Sequence, residues 1–214
     1  MVADMREVDP DATVAILMDW ERHDQRAPLS ENYLREHTLG ELRLLSGPIR
    51  VVNYDPEWPQ MFEREAERIR TALGDRALRI EHVGSTSVPE LQAKPIIDIV
   101  LIVAASDNEP QYVAALETAG YRLHLREPGW YEHRMFKGRG NSANLHVFSS
   151  GCPEIERMVR FRDWLRTSKD DRELYARTKR ALAEKEWKYT QNYADAKSQV
   201  IEEIMSRARR AAAT

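Results

Sequence analysis

Cysteine is almost missing from this chain of 214 residues: Cys152 is the only one. A single thiol excludes an internal disulfide framework and a cysteine-rich zinc site, and it agrees with a reducing compartment. Long apolar runs are missing too. The apolar stretch Val14 to Met18 falls far short of the roughly 20 residues a membrane-spanning helix needs, and acids appear early at the N-terminus. Charge of one sign is not in excess either, with 32 Lys+Arg against 35 Asp+Glu and a formal charge of -3. That balance leaves no electrostatic footprint for general nucleic-acid binding. These absences lead to the expectation of a soluble, cytoplasmic protein with no membrane and no nucleic-acid partner. There is no internal repeat, and only the Ala/Arg tail approaches low complexity.

What is present divides into three regions. Residues 1–47 mix short helical patterns with breaks at Pro28, Gly40 and Gly47-Pro48, and read as an extension packed on the rest. Residues 48–150 carry the sheet signals. IRVVNYD (49–55) reads as a strand, and PEWPQMFEREAERIRTAL (56–73) as a helix with Phe62, Ala66, Ile69 and Leu73 on one side. ALRIEHVGS reads as a further strand, and PIIDIVLIV as a central strand covered on both faces. EPQYVAALETAGY reads as a helix closed by Gly120, before three extended segments YRLHLRE, YEHRMFKG and ANLHVFSS. Residues 151–214 read as helices of the same domain, including one stretch over NYADAKSQVIEEIMSRARR. The fold class expected is α+β, a mixed sheet flanked by helices with a helical C-terminal region.

The segment EHVGSTSVPELQAKPIIDIV (81–100) concentrates the chemistry. Gly84 at a strand-to-helix turn would let the backbone approach a ligand, and the hydroxyls of Ser85, Thr86 and Ser87 can donate to phosphate oxygens. A helix opening at Thr86 would add its amides. A capped turn explains the same residues. Asp98 sits inside an apolar run and needs a partner, a metal ion or a proton, since burying a bare carboxylate costs several kcal/mol or more.

These residues, with VNYDPEWPQMFEREAERI, NLHVFSSGCPEIERMVRFRDWLR and YADAKSQVIEEI, resemble the GrpB family, also labelled UPF0157, of the nucleotidyltransferase fold superfamily. The resemblance spans roughly residues 48–206. It implies a mixed sheet flanked by helices, phosphate binding by Gly84 and Ser85, and Asp98 as the first metal carboxylate. The resemblance leaves the activity poorly defined; the first functional hypothesis is a nucleotidyltransferase-like protein that binds a nucleoside triphosphate and a divalent metal, magnesium or manganese or else a transition metal, and transfers a nucleotidyl group to a small-molecule or protein acceptor. Two departures stand out. Val100 occupies the position of the usual second carboxylate, and NLHVF offers Asn144 and His146 where a third acid is common. One acid and one imidazole suit two magnesium ions poorly, whereas imidazole suits a transition metal.

Other candidates follow from spacing. His82 precedes the loop by two residues and is read as either a phosphate donor or base or a satisfied strand-end histidine. His133 and His146, on neighbouring strands, are candidates to join Asp98 in a metal cluster, and Arg134 points away from His133. Lys94 precedes the Asp98 strand and can neutralise phosphate. Tyr193 and Lys197 stand four apart and share a helical face, which on spacing alone reads as an exposed lysine beside a core tyrosine; the resemblance, which includes this Tyr-x-x-x-Lys, implies that Lys197 closes the cleft over a ligand. Three functions remain open: nucleotidyl transfer, nucleotide or anionic-metabolite binding without turnover, and a His/Asp metal-dependent hydrolase. Cys152 has no evident base and is not read as a nucleophile.

Overall fold

The computed structural model describes residues 27–212. Five strands form one mixed sheet in the order β1-β2-β5-β4-β3. They are β1 (Arg79–Val83), β2 (Ile97–Val103), β3 (Arg122–Glu127), β4 (His133–Lys137) and β5 (Ala143–Ser149). The central pair β2 and β5 run parallel, with Asp98 opposite Asn144 and Val100 opposite His146. All other neighbours are antiparallel.

Seven helices complete the described chain: α1 (Glu31–His37), α2 (Trp58–Leu73), α3 (Val113–Thr118), α4 (Pro153–Thr167), α5 (Lys169–Ala183), α6 (Thr190–Asp195) and α7 (Ser198–Ala212). None is long and apolar enough to cross a membrane. α2 forms because Trp58, Phe62, Ala66, Ile69 and Leu73 fall on one side of it. That side packs against Ile97, Ile99, Leu101, Leu145 and Val147, one face of β2 and β5. Each such large side chain, once buried, contributes about 2 kcal/mol of apolar transfer energy.

Alternation along β2 and β5 sends Asp98, Val100 and Ile102, with Asn144, His146 and Phe148, to the other face. There Val100, Ile102 and Phe148 pack with Cys152 and Ile155 of the α4 end. The apolar cover of this face therefore sits toward the C-terminal ends of the strands, and Asp98 lies at the opposite end. α5 and α7 close over the 88–91 segment through Tyr175, Val200 and Ile204.

Three expectations change. IRVVNYD is extended but pairs with the rest only through the bridge between Val52 and Ala93, so it is not a strand of the sheet. The helix expected in EPQYVAALETAGY splits into a short turn at Glu109–Gln111 and the six-residue α3. The long C-terminal helix breaks between α6 and α7, which leaves Lys197 at the junction. Of the N-terminal extension, residues 27–47 lie against the body: Leu29 N–H donates to Asp195 at 3.0 Å, and Leu39 and Leu45 N–H groups donate to the carbonyls of His124 and Lys188. Residues 1–26, with His23 and the stretch from Val14 to Met18, lie outside the described residues.

Candidate functional site

Gly84 joins β1 to the loop with φ 68° and ψ -171°, a backbone conformation that is essentially glycine's alone. A Cβ there would lie 2.4 Å from Asp98 Oδ2. The loop backbone is therefore laid directly on the carboxylate. The other oxygen, Oδ1, accepts from Asn144 Nδ2 at 2.7 Å, and Asn144 Oδ1 in turn accepts from Lys137 Nζ at 2.6 Å. One row across three strands, β2, β5 and β4, thus reads carboxylate, amide, ammonium.

Three further lysines converge on this row from other elements. Lys179 of α5 donates to Ser85 Oγ at 2.9 Å and to the Gln92 carbonyl at 2.5 Å. Its Nζ also lies 4.6 Å from the centre of the Tyr175 ring, and Tyr175 hydrogen-bonds Ser85. Lys197 lies 4.8 Å from the Tyr193 ring centre and Lys94 6.0 Å from the same ring. Two Tyr-x-x-x-Lys pairs, 175/179 and 193/197, therefore present ammonium groups over phenol faces. Burial lowers the affinity of Lys94, Lys137 and Lys197 for their protons, and that of Lys179 strongly, while Asp98 pulls each the other way. Burial likewise pushes the Asp98 carboxyl up, against the opposing pull of Asn144, Lys197, Lys137 and Lys94. Four amines thus surround one carboxylate in a poorly solvated cleft, an arrangement whose protonated form an incoming anion would stabilise.

The remaining loop residues are turned inward. No helix opens at Thr86; Ser85–Ser87 is a single tight turn. Thr86 is buried, donating from Oγ1 to the Ile96 carbonyl at 3.3 Å and lying 3.1 Å from His82 Nε2. Ser87 is also buried and donates to the Gly84 carbonyl. The expectation that Thr86 and Ser87 hydroxyls face phosphate is therefore corrected: they hold the turn, and Ser85 is the hydroxyl beside the cleft. His82 follows the second of its two readings, a satisfied strand-end histidine. It stacks on Phe62 at 4.7 Å on the α2 side of the sheet, where burial, with Arg166 and Arg162, pushes it down to about 4.

His133 and His146 do meet, with Nε2 of one 3.0 Å from Nδ1 of the other, but they do not gather around Asp98. His133 Nδ1 instead contacts the buried carboxylate of Glu127 at 2.7 Å. Arg134 points to the opposite face, as its alternation with His133 requires, and donates to Glu109 at 2.6 Å.

The donor set does not fit the metals expected from the sequence. Asp98 is the one acid in its row, one of its oxygens is engaged by Asn144, and Val100 offers no ligand. Among the described residues no group of three or more His, Cys, Asp or Glu is placed to hold a metal. The groups found beside this row are lysine amines, which are not the oxygen ligands magnesium prefers. Cys152 is buried against α4, where burial pushes its thiol up to about 11, away from nucleophilic use.

The structure brings Asp98, Gly84, Ser85, Lys94, Tyr193 and Lys197, all expected from the sequence, into one cleft, and adds Lys137 and Lys179, which were not expected there. Two signals were available. Lys137 has the same parity as His133 along one strand, and Lys179 repeats the Tyr-x-x-x-Lys spacing of Tyr193 and Lys197.

The comparisons with known proteins agree with this architecture. The profile described as GrpB protein matches residues 48–207. The UPF0157 protein BH1888 of Halalkalibacterium halodurans is 57% identical over 181 residues, covering 85% of this chain and 93% of that protein. A match of 31% identity over 175 residues covers 70% of this chain but 43% of a Mycolicibacterium paratuberculosis protein named dephospho-CoA kinase. The crystal structure of the conserved protein GrpB from Enterococcus faecalis superposes with a TM-score of 0.68 at 31% identity, covering 77% of this chain and 100% of that one. With its sheet, its glycine loop and more than half its length matched, the chain belongs to the GrpB family.

Proposed function

We propose that the cleft binds a nucleoside triphosphate and transfers its nucleotidyl group to a hydroxyl-bearing small molecule or protein. The observation that carries this reading is the convergence of Lys94, Lys137, Lys179 and Lys197 on the Gly84–Asp98 contact. A polyanion entering there exchanges water for several ammonium groups already held in place, so little ordering is left to do on binding. The Gly84 turn gives the phosphates room to approach backbone, and Ser85, held by Lys179, supplies a hydroxyl. Catalysis of transfer is then positioning and electrostatic stabilisation of the departing pyrophosphate by the lysines. No step in this reading runs through a metal ion.

A second reading, binding without transfer, is favoured by Val100 and Asn144 standing where acids would activate a triphosphate. One experiment separates the two. Purified protein is titrated calorimetrically with ATP, GTP, CTP, UTP and, because of the relative named dephospho-CoA kinase, dephospho-CoA. Pyrophosphate release is followed in parallel with glycerol and serine as hydroxyl probes. Affinity for a triphosphate with pyrophosphate release supports transfer, and affinity without release supports the binding module. A chain that binds none of these compounds loses both readings.

A further inference from the structure

Apart from the lysine cleft, the described residues enclose a pocket of about 600 Å³ at β1, the edge strand of the sheet. Phe62 of α2, Ile80 and His82 of β1, and the arginines Arg64, Arg162 and Arg166 line it, and none of the four cleft lysines does. Its size suits a small organic molecule. One part of the lining is apolar and flat. The Phe62 and His82 rings stack there with centroids 4.7 Å and planes 7° apart, and His82, pushed down to about 4, carries no charge at physiological pH. Ile80 beside them is half-buried.

The other part of the lining is cationic and has donors to spare. Arg64 is exposed and has no ion pair or hydrogen bond among the described residues. Arg166, 40% exposed, directs Nε and Nη2 to the Ser87 carbonyl at 3.1 and 2.9 Å and Nη1 to Asp163 at 3.2 Å. A guanidinium carries two N–H bonds on each terminal nitrogen, so Arg166 keeps one on each without a partner among the described residues. The two acids of the lining are already engaged: Glu81 accepts from Arg79 at 2.8 Å and from Arg162 at 2.6 Å, and Glu63 lies 4.0 Å from Arg70. Unused guanidinium donors beside a flat apolar wall match a flat molecule with one anionic group, because arginine pairs with carboxylate or phosphate through parallel N–H bonds.

We infer that this pocket is a second ligand site, for a flat apolar molecule carrying one carboxylate or phosphate, and that its arginines tie it to the Gly84 loop. Arg162 Nη1 donates to the His82 carbonyl at 3.0 Å and Arg166 to that of Ser87, so the pocket arginines hold both ends of the segment 82–87. The middle of the same segment meets the lysine cleft: Gly84 lies on Asp98, and Ser85 Oγ accepts from Lys179. An anion that draws Arg166 toward itself competes with the Ser87 carbonyl. The segment has little slack to absorb that pull, because Ser87 Oγ donates to the Gly84 carbonyl and Gly84 has no room toward Asp98. Occupancy of the pocket is therefore felt at Gly84 and Ser85, which do not line it. The site stands or falls independently of nucleotide binding, since no triphosphate enters its test.

The test follows backbone amide resonances of the 15N-labelled full chain during titration with 1-naphthoate, 1-naphthyl phosphate, the uncharged 1-naphthamide and acetate. Saturable shifts are expected around residues 62–64, 80–82 and 162–166 with naphthoate or naphthyl phosphate, and the tighter of the two identifies the anionic group. Naphthamide, which lacks the charge, and acetate, which lacks the rings, should not produce them at the same concentration. Gly84 and Ser85 should shift along with the pocket residues. Arg64→Gln, at an exposed position without partners, should keep the wild-type fold and weaken the anion about 10-fold or more, the loss of a charge-assisted pair. Shifts centred on Lys94, Lys179 and Lys197 instead would put the anion in the lysine cleft and overturn the second site, as would the absence of any saturable shift with either anion. Equal binding of naphthamide, or undiminished affinity in Arg64→Gln, would overturn the role given to the arginines. Pocket shifts that leave Gly84 and Ser85 unmoved would overturn the link to the loop.

Discussion

Replacing Gly84 by alanine probes the contact on which the site is built. The residue holds φ 68° and ψ -171°, a region that costs a non-glycine residue about 1–3 kcal/mol. The added methyl would also stand 2.4 Å from Asp98 Oδ2, 2.9 Å from Asp98 Cβ and 3.1 Å from Asp98 Cγ. Asp98 cannot simply step aside, because it is fixed on a central strand with Val83 and Asn144 as its neighbours and its Oδ1 holds the Asn144 amide. If the carboxylate turns, that charge-assisted hydrogen bond is lost, at about 1.5–3 kcal/mol. If the loop moves instead, Ser85 is drawn off Lys179. The first route brings the total to about 3–5 kcal/mol. In a chain of this size each kcal/mol shifts the melting temperature by about 2–4 °C, so Gly84→Ala should melt about 6–20 °C below wild type by calorimetry or circular dichroism. Adding Asp98→Gly removes the three atoms nearest the added methyl, so the double variant should be destabilised by clearly less than the sum of the two single changes. Melting of Gly84→Ala within about 3 °C of wild type, or strict additivity with Asp98→Gly, would refute the packing described.

Lys179→Met exchanges a buried ammonium for an apolar side chain of similar length. Stability should hold or rise, since removing a desolvated charge offsets the loss of its contacts, while triphosphate affinity drops about 10- to 100-fold, read by melting and calorimetric titration on the same sample. The lysines also predict a proton linkage. Burial holds their protons less tightly than in water, and bound phosphates reverse that preference, so binding takes up protons and weakens as pH rises. Titration in buffers of different ionisation enthalpy measures the uptake, and proton release on binding would contradict it. His82 adds an acid limb to stability. Its folded value of about 4 lies below the unfolded 6.5, so the unfolded chain gains the proton first, and stability should decline as pH falls from about 6.5 toward 4, by on the order of 3 kcal/mol. His82→Gln should flatten that part of the pH–melting curve.

Much of this architecture was legible because it follows local periodicity. The α2 stripe and the doubly buried β2 run name their elements directly, and strand alternation correctly separated His133 from Arg134. The failures arise where tertiary partners decide. IRVVNYD has strand composition, but its one strand-like pairing among the described residues is the Val52–Ala93 bridge. Helical spacing across NYADAKSQV is unbroken in sequence, yet the chain breaks there and sets Lys197 over Tyr193. The hydroxyls of Thr86 and Ser87 look alike in sequence to that of Ser85, and only the path of the turn decides which one meets the cleft. The Glu127–His133 contact depends on a strand register shifted by an irregularity between Leu123 and Leu125, which no pattern of residues announces.

In the proposed function lysines, rather than metal ions gathered by carboxylates, meet the charge of the phosphates. The direct measurement is the ATP affinity of wild type and Asp98→Asn, each with magnesium and with EDTA. Removing the one acid in the row from a cleft of four amines should leave ATP binding as tight or tighter, and EDTA should change it little. Binding that requires magnesium and vanishes in Asp98→Asn would contradict the account and return Asp98 to the role of a metal ligand.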